Sequence, residues 1–363
     1  MKIQFFDYKR ELAKIRFEIN SAINRVLDSG MLILGKEVDT FENNFSKYIG
    51  QKYGIGVNSG TDALKIAMKA IGLKAGDEVI TVANTAVPTI SSIRELGAIP
   101  KFVDIKSDYL IDEKKVEVAI TNKTKLILAV HLYGQPCNIK KLIDIAKKNN
   151  LKIIEDCAQA NGAMLKNKKV GSFTDISCFS FYPTKTIGAY GDAGIILTSN
   201  RRIANKCRQL RMYGMKRTYF AEIEGYNSRM DEIQAAILNV KLKYLNKWKS
   251  RRQTIAKFYL ENIKNQKIIL PEIHDIKEHV FHLFVIRTKN RKSLIDYLAR
   301  HGICTMIHYP YPIHLQTAYK FLGVKKGSLP ITEHFAKEIL DIPLFPELKK
   351  EEIKYIVEIL NKF

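Results

Sequence analysis

The sequence predicts an α/β protein built on a mostly parallel sheet of seven strands. Between about residues 52 and 200, short apolar segments alternate with helical patterns, which is typical of βα units. The chain has 363 residues, more than one small domain needs. Its composition, with 46% hydrophobic and 26% charged residues, is that of a globular protein with a large core.

The predicted strands are short apolar runs rich in β-branched residues. They lie at Tyr53–Val57, Glu78–Val82, Pro100–Val103, Lys125–Val130, Lys152–Glu155, Ser177–Phe181 and Gly194–Thr198. Ligands of such sheets bind at the carboxyl ends of the strands. The residues that end strands are therefore the first candidates for function.

A long helix is predicted from Asn227-Ser228, with Asp231 placed to complete a capping pattern. Its apolar positions recur at spacings of three and four: Ile233, Ile237, Val240, Tyr244 and Trp248. Beyond about residue 250, mixed helices and short strands, including 281–287 and 303–309, predict a smaller α+β domain. We predict a large domain over residues 1–248 and a small one over 249–363, with residues 1–30 packing on the small domain.

The net charge of +22 favours a polyanionic partner, whether nucleic acid, an anionic membrane or a diphosphate-bearing metabolite. No nucleic-acid-reading motif accompanies the basic clusters, so no nucleic-acid partner is predicted. Charges interrupt the N-terminus early and no window of about 18 apolar residues occurs, so neither export nor membrane insertion is expected. Five scattered cysteines without a C-x-x-C pair favour reduced thiols in a cytoplasmic protein.

Lys185 lies where the strand 177–181 gives way to a loop containing Pro183 and three glycines. These residues end the strand without starting a helix. Desolvation at such a junction favours the neutral amine, which is the form that attacks an aldehyde to make a Schiff base. Considered alone, this segment would also fit an ordinary surface lysine on a loop.

Two further motifs end strands. Asn58-Ser59-Gly60-Thr61 opens a helix whose free amides and dipole favour an anion, although an ordinary N-cap would look the same. Asp156 follows a buried strand, where a carboxylate needs a cationic partner. An acid facing the pyridinium nitrogen of pyridoxal phosphate (PLP) is one solution, and a cap of the next helix is another.

Other catalytic patterns are missing from the sequence, including the Walker loop, H-E-x-x-H and G-x-S-x-G. His308 and His314 are six residues apart in a proline-containing loop. This is not a usual zinc-ligand spacing. No metal site is predicted.

The order of phosphate cradle, strand-end aspartate and strand-end lysine resembles the fold-type I PLP enzymes, and specifically the nucleotide-sugar aminotransferases of the DegT/StrS family. The resemblance runs over nearly the whole chain. Besides the Lys185 loop it rests on Ile33–Val38, Ser59–Thr61, His131–Pro136, Glu155–Ala160 and Gly225–Ala236. It implies a large domain with a mostly parallel seven-stranded sheet and a smaller C-terminal α+β domain.

The resemblance also implies roles for single residues. Lys185 would hold PLP as a Schiff base, Asp156 would face the pyridine nitrogen, and Gln159 would bond the ring hydroxyl. Gly60, Thr61 and Ser180 match phosphate ligands, while Asn227 matches a phosphate ligand from the neighbouring subunit of an obligate homodimer. Tyr182, Arg229, His308 and Tyr309 are expected at the substrate. At Ala86-Val87-Pro88 many relatives carry an aromatic residue or histidine on the ring face, so the residue covering that face stays open.

Within the family, Gly134–Pro136, Gly225–Arg229 and Ile307–Gln316 look most like enzymes that aminate carbon 3 of dTDP-linked 3-keto-6-deoxyhexoses with glutamate. The implied product is a dTDP-3-amino-3,6-dideoxyhexose, of glucose or galactose type, for surface glycans such as lipopolysaccharide. A carbon-4 aminotransferase is the alternative. Family members that dehydrate sugars lack the Schiff-base lysine, so Lys185 argues against that activity. A basic nucleic-acid-binding or regulatory protein is the alternative from another class.

Overall fold

The computed structural model describes residues 1–363 and places a seven-stranded sheet at the centre of the chain's first two thirds. The strands are β1 Tyr53–Val57, β2 Glu78–Val82, β3 Ile99–Val103, β4 Thr124–Val130, β5 Lys152–Asp156, β6 Met164–Leu165, β7 Lys168–Lys169, β8 Ile176–Ser180, β9 Gly194–Thr198, β10 Met215–Arg217, β11 Phe220–Ala221, β12 Phe284–Arg287 and β13 Ile339–Ile342.

Twelve α-helices accompany the strands. They are α1 Tyr8–Ser29, α2 Lys36–Ile49, α3 Gly60–Ala70, α4 Val87–Arg94, α5 Glu113–Ala119, α6 Ile139–Lys148, α7 Arg201–Arg211, α8 Glu232–Leu242, α9 Leu245–Asn262, α10 Arg291–Arg300, α11 Pro330–Glu338 and α12 Lys350–Lys362. Three short 3₁₀ turns lie at residues 132–134, 313–315 and 317–322. None of the helices has both the length and the apolar character that crossing a bilayer requires.

The central sheet has the strand order β1-β9-β8-β5-β4-β2-β3. Only β9 runs antiparallel to its neighbours β1 and β8. The predicted α/β class and the seven predicted strands are thereby confirmed, with boundaries that differ by a residue at most. Because β5 and β8 are adjacent and parallel, their carboxyl ends, Asp156 and Ser180, meet at one edge of the sheet.

The helix predicted from Asn227 is wrong in its start and its continuity. It begins at Glu232, because the amides of Tyr226 and Ser228 bond to Leu210 and Arg211 instead. Asp231 precedes it without a side-chain capping bond. The helix then breaks between α8 and α9, yet its apolar residues pack continuously against α1, which explains the unbroken periodicity.

Only part of the predicted C-terminal β structure forms. The strand β12 pairs with β13, which the sequence did not reveal. The strand predicted at residues 303–309 is wrong, since this segment makes single bridges at Ile303 and Met306 only. The predicted domain boundary falls within α9 and stays a prediction, as does the packing of residues 1–30. In the structure α1 packs on α8, while Arg10 bonds to Glu352 in α12.

Candidate active site

A cavity of about 320 Å³ opens at the carboxyl edge of the central sheet. The ends of β5 and β8, the start of α3 and the loop after β8 enclose it. Most of the predicted cofactor residues line it: Gly60, Thr61, Asp156, Gln159, Ser180 and Lys185, together with Tyr182 from the predicted substrate set. Motifs that are far apart in the sequence thus meet in one place.

Lys185 lies in this cavity on the loop after β8. Side chains of α8 hydrogen-bond to the backbone of this loop. The ammonium of the buried Lys241 in α8 donates to the carbonyl of Gly188 at 2.7 Å, and Gln234 in the same helix accepts from the amide of Tyr190 at 2.9 Å. Burial lowers the pKa of Lys185 to about 8, and the charge of Asp156 opposes this shift. The neutral amine of Lys185 is therefore more accessible near neutral pH than that of an exposed lysine.

Asp156 ends β5 and is 3% exposed. Its Oδ1 accepts from the amide of Ala158 at 3.1 Å, and its Oδ2 accepts from the hydroxyl of Thr89 at 3.0 Å. Burial raises the pKa of Asp156, while these hydrogen bonds and the charge of Lys185 lower it. The bonds fix the carboxylate in a place where it can hold a positive charge on a ligand.

The start of α3 has the form of an anion cradle. Ser59 caps the helix by accepting from the amide of Asp62 at 3.1 Å, so the helix axis begins at the cavity wall. A Cβ atom on Gly60 would lie 2.6 Å from the Cβ of Ser180. Glycine is therefore required there, and it lets the backbone of α3 approach β8 closely enough to hold a small anion between them.

Gln159 links the cavity to residues that are distant in the sequence. Its Oε1 accepts from the amide of Tyr133 at 2.7 Å, and its Nε2 donates to the hydroxyl of Tyr309 at 3.0 Å. Tyr133 has φ 58°, in the left-handed region that bulky residues rarely adopt. Such strain is common at functional sites. Tyr133 lies in the motif His131–Pro136, but no feature of the sequence alone marks it as a functional residue.

One wall of the cavity is formed by the residues just before α4 and by the first turn of α4. Thr85, Ala86, Pro88 and Thr89 line it, so no aromatic side chain comes from this segment. Thr85 and Thr89 share a hydrogen bond of 2.8 Å between their hydroxyls. The role of Thr89 at Asp156 was missed, because only the fold brings these two residues together.

Three predicted substrate residues, Tyr182, His308 and Arg229, and the predicted phosphate ligand Asn227 divide into two groups. Tyr182 and His308 line a second cavity of about 500 Å³, and Tyr182 borders both cavities. By contrast, Asn227 is exposed and Arg229 stacks near the ring of Tyr213 at 5.6 Å. Neither residue lines the cavity of its own chain.

A lysine with a lowered pKa, a buried acid and a helix N-terminus around one sheet-edge cavity define a PLP-type aminotransferase site. The comparison with known families agrees with this class. The sequence model of the DegT/DnrJ/EryC1/StrS aminotransferase family matches residues 13–361. The chain belongs to this family.

Similar proteins cover the chain from end to end. The dTDP-3-amino-3,6-dideoxy-alpha-D-galactopyranose transaminase of Aneurinibacillus thermoaerophilus is 47% identical and matches over 99% of both chains. A pleiotropic regulatory protein of Geobacillus stearothermophilus is 43% identical over 100% of this chain and 99% of its own.

Solved structures are also similar to nearly the whole chain. S. venezuelae DesV, determined with a ketimine intermediate, has a TM-score of 0.97 at 38% identity and covers 99% of this chain and 98% of its own. NtdA of Bacillus subtilis, determined with bound cofactor PMP, has a TM-score of 0.92 at 34% identity, with coverages of 99% and 84%. The fold-type I architecture is thereby confirmed.

The residues present fit pyridoxal phosphate, the cofactor that the family and its cofactor-bound structures support. The cradle between Gly60 and Ser180 suits a phosphate, and the buried Asp156 suits a protonated ring nitrogen. Lys185 supplies the one amine in the cavity lining. Each of the three parts of the cofactor thus has a matching group.

Proposed function

We propose that this enzyme transfers the amino group of glutamate to carbon 3 of a dTDP-linked 3-keto-6-deoxyhexose. The product would be a dTDP-3-amino-3,6-dideoxyhexose of glucose or galactose type, made in the cytoplasm for surface glycans. One observation carries the proposal: Lys185 and Asp156 share a cavity in a chain that is 47% identical to a dTDP-3-amino-sugar transaminase. The net charge of +22 suits a diphosphate-bearing substrate.

In this proposal Lys185 holds the cofactor as a Schiff base and afterwards carries the proton. When bound, PLP supplies an electron sink that allows an amino group to pass between carbon skeletons. The Lys185 amine, whose pKa burial lowers to about 8, would take a proton from the glutamate α-carbon and deliver it to the bound cofactor, and it would make the same transfer in reverse with the sugar. The same amine would serve both half-reactions, and ping-pong kinetics are expected because the first product leaves before the keto sugar binds.

The remaining residues would bind the cofactor and orient it. Asp156, fixed by Thr89 and Ala158, holds a proton on the ring nitrogen. Gly60, Thr61 and Ser180 hold the phosphate at the start of α3. Gln159 bonds the ring hydroxyl, and Tyr309, its hydrogen-bond partner, extends this contact toward the substrate.

We further infer a homodimer in which each active site takes residues from both subunits. Asn227 and Arg229 fall outside the cavity of their own chain, although they lie in a motif shared with the family. The neighbouring hairpin exposes Tyr219 by 96% and Phe220 by 48%. Exposed aromatic residues of this kind are typical of protein interfaces, so this face would lie against the partner's cavity.

The decisive experiment separates the two half-reactions. Glutamate should bleach the yellow purified holoenzyme, and a dTDP-3-keto-6-deoxyhexose should restore the colour and yield the amino sugar. The isomeric 4-keto sugar should restore it far more slowly, because only one carbonyl can reach attack distance. Faster turnover of the 4-keto sugar would favour the carbon-4 aminotransferase, while no bleaching by glutamate would refute the transaminase.

The regulatory alternative is supported by the name of the 43% identical Geobacillus protein and by the basic surface. It predicts binding to duplex DNA that weakens steeply with salt. Tight duplex binding together with no preference for dTDP-sugars would favour it over the enzyme.

A further inference from the structure

Asp341 is a buried carboxylate with a single side-chain partner. It lies in β13, its side chain is 0% exposed, and its Oδ2 is 2.5 Å from Nδ1 of His308. Its Oδ1 has no hydrogen-bond partner. Burying a carboxylate in this way is unfavourable unless it is well bonded. Burial raises the pKa of Asp341 to about 6, against the lowering effect of His308.

Glu155, an equally buried acid, shows what a structural carboxylate looks like in this protein. Its oxygens accept from the amides of Gly171, Phe173 and Thr174, from the Thr174 hydroxyl, and from His131. Both oxygens of the Glu155 carboxylate therefore have hydrogen-bond donors, most of them amides of the backbone segment that Glu155 holds in place. Asp341 supports only one imidazole, which points to a role in the behaviour of that imidazole.

His308 lines the second cavity, which lies beside the cofactor cavity, and its other ring nitrogen is Nε2. With Nδ1 held by Asp341, its Nε2 makes no hydrogen bond within the protein. The ring is 23% exposed and lines the second cavity, which we call the chamber, defined by Phe5, Phe6, Tyr182, His282, His308 and Ile342. Tyr182 borders both the chamber and the cofactor cavity.

The chamber combines apolar walls with polar groups that lack partners. Phe5, Phe6 and Ile342 are apolar, whereas Nδ1 of the buried His282 has no partner. Burial and the nearby charge of Lys185 lower the pKa of His282, so this ring is neutral. A pyranose matches such walls, because it has apolar faces and a rim of hydroxyl groups.

The geometry points to Asp341 as a positioning residue that fixes the His308 imidazole, so that Nε2 hydrogen-bonds the keto sugar in the chamber. This inference rests on the proposed function. A carboxylate on Nδ1 selects the ring orientation and the tautomer of a histidine. Glutamate, which is smaller, would react at the cofactor without this contact. Asp341 would therefore act in one half-reaction only.

The test compares single-turnover rates of the two half-reactions in Asp341→Asn holoenzyme. We expect the sugar half-reaction to slow about 10- to 100-fold and the glutamate half-reaction to change by less than about twofold. The matched control is Glu333→Gln, which removes the charge from another carboxylate–histidine pair, 3.1 Å from His314. Neither member of that pair lines the cofactor cavity or the chamber, so this variant should leave the ratio of the two rates unchanged.

A double-mutant cycle shows whether Asp341 acts through His308. If it does, His308→Gln and the double variant His308→Gln/Asp341→Asn should lose equal amounts of sugar turnover. Additive losses, equal slowing of both half-reactions, or an unchanged rate in Asp341→Asn would each overturn the inference. If glutamate fails to bleach even the wild-type enzyme, the proposed function fails instead.

A second measurement covers the case in which Asp341→Asn does not fold. The Nδ1–H proton of His308, assigned in wild-type holoenzyme by its loss in His308→Gln, should shift on addition of dTDP-sugar but not of glutamate. A shift with glutamate alone, or with neither ligand, would also overturn the inference.

Discussion

The cofactor cavity and the chamber beside it are built from different kinds of structure. The cavity lies at the ends of β5 and β8 and the start of α3, and the loop that carries Lys185 is held by hydrogen bonds to α8. The chamber instead joins the N-terminal residues 4–6, the loop at Tyr182–Thr184, the segment 304–308 and β13. Rigid elements hold reacting groups in fixed places, whereas loops from distant parts of the chain can change with the substrate.

The two acids show the same contrast. Asp156 takes hydrogen bonds from a backbone amide and a threonine hydroxyl, both close to the sheet edge. Asp341 is bonded to one side chain of a loop and leaves an oxygen unpaired. We propose that the cavity carries the chemistry common to both half-reactions and that the chamber carries the selection of the sugar. The predictions below test this division.

The largest effect is expected from Lys185→Ala. Loss of the amine that moves the proton should lower the rates of both half-reactions by roughly 10³-fold or more, because both depend on the cavity. The fold should persist, as Lys185 makes no side-chain hydrogen bond. Stopped-flow absorbance with glutamate and with the keto sugar measures the two rates. The exposed Lys168→Ala is the control, and turnover by Lys185→Ala close to that control would contradict the assignment.

Asp156→Asn should retain the cofactor and slow both half-reactions by about 10²- to 10³-fold, because a neutral amide cannot hold the positive charge on the ring nitrogen. Single-turnover absorbance gives the rates, and the ratio of the two should stay near the wild-type value. The exposed Asp144→Asn controls for the general loss of a carboxylate. An unchanged rate would mean that Asp156 serves only as a local cap.

Subunit mixing tests whether the cavity is completed by a partner. Inactive Lys185→Ala and inactive Asn227→Asp chains, mixed in equal amounts, would form heterodimers with one intact site each. Random exchange would then restore about a quarter of the wild-type activity. Mixing Lys185→Ala with Asp156→Asn is the control: both residues line the cavity of their own chain, so each site of that heterodimer carries one change and no activity should return. No recovery in the first mixture despite proven exchange would refute the shared site.

The sequence was informative where function is carried by local motifs. Lys185, Asp156 and Gly60 each follow a strand, and strand ends in a parallel sheet converge by topology alone. Thr89, Tyr133 and Asp341 could not be found in this way. Their partners lie 67, 26 and 33 residues away in the sequence, and only tertiary packing brings them together.

The errors in the C-terminal region have the same origin. A strand is predicted at residues 303–309, yet the sheet there consists of β12 and β13 alone, so the segment pairs at isolated bridges. The start of α8 was misplaced because the amides of Tyr226 and Ser228 bond to α7, and the side chain of Glu232, the first residue of α8, serves another element. Its carboxylate accepts from the amides of Gly35, Glu37 and Val38 at the start of α2. A side chain that caps a helix far away in the sequence cannot be recognised from the residues next to it in the chain.

The smallest effect is expected from Thr89→Val, which removes one hydrogen bond to Asp156 and keeps the shape of the side chain. A hydrogen bond to a carboxylate lowers its pKa, so its loss raises the pKa of Asp156 further above the usual value. The ionised form that the ring nitrogen requires then disappears at a higher pH. The acidic limb of the glutamate half-reaction should move upward by about one pH unit or less, with a rate loss of up to about tenfold.

Thr89→Ser is the matched control, because it keeps the hydroxyl and should keep the wild-type profile. Both variants leave the chamber untouched, so the ratio of sugar to glutamate turnover should not change in either. A downward shift of the acidic limb in Thr89→Val would contradict the role of this hydroxyl. A loss confined to the sugar half-reaction would contradict the division between cavity and chamber, because it would place a determinant of sugar turnover among the residues that hold the cofactor.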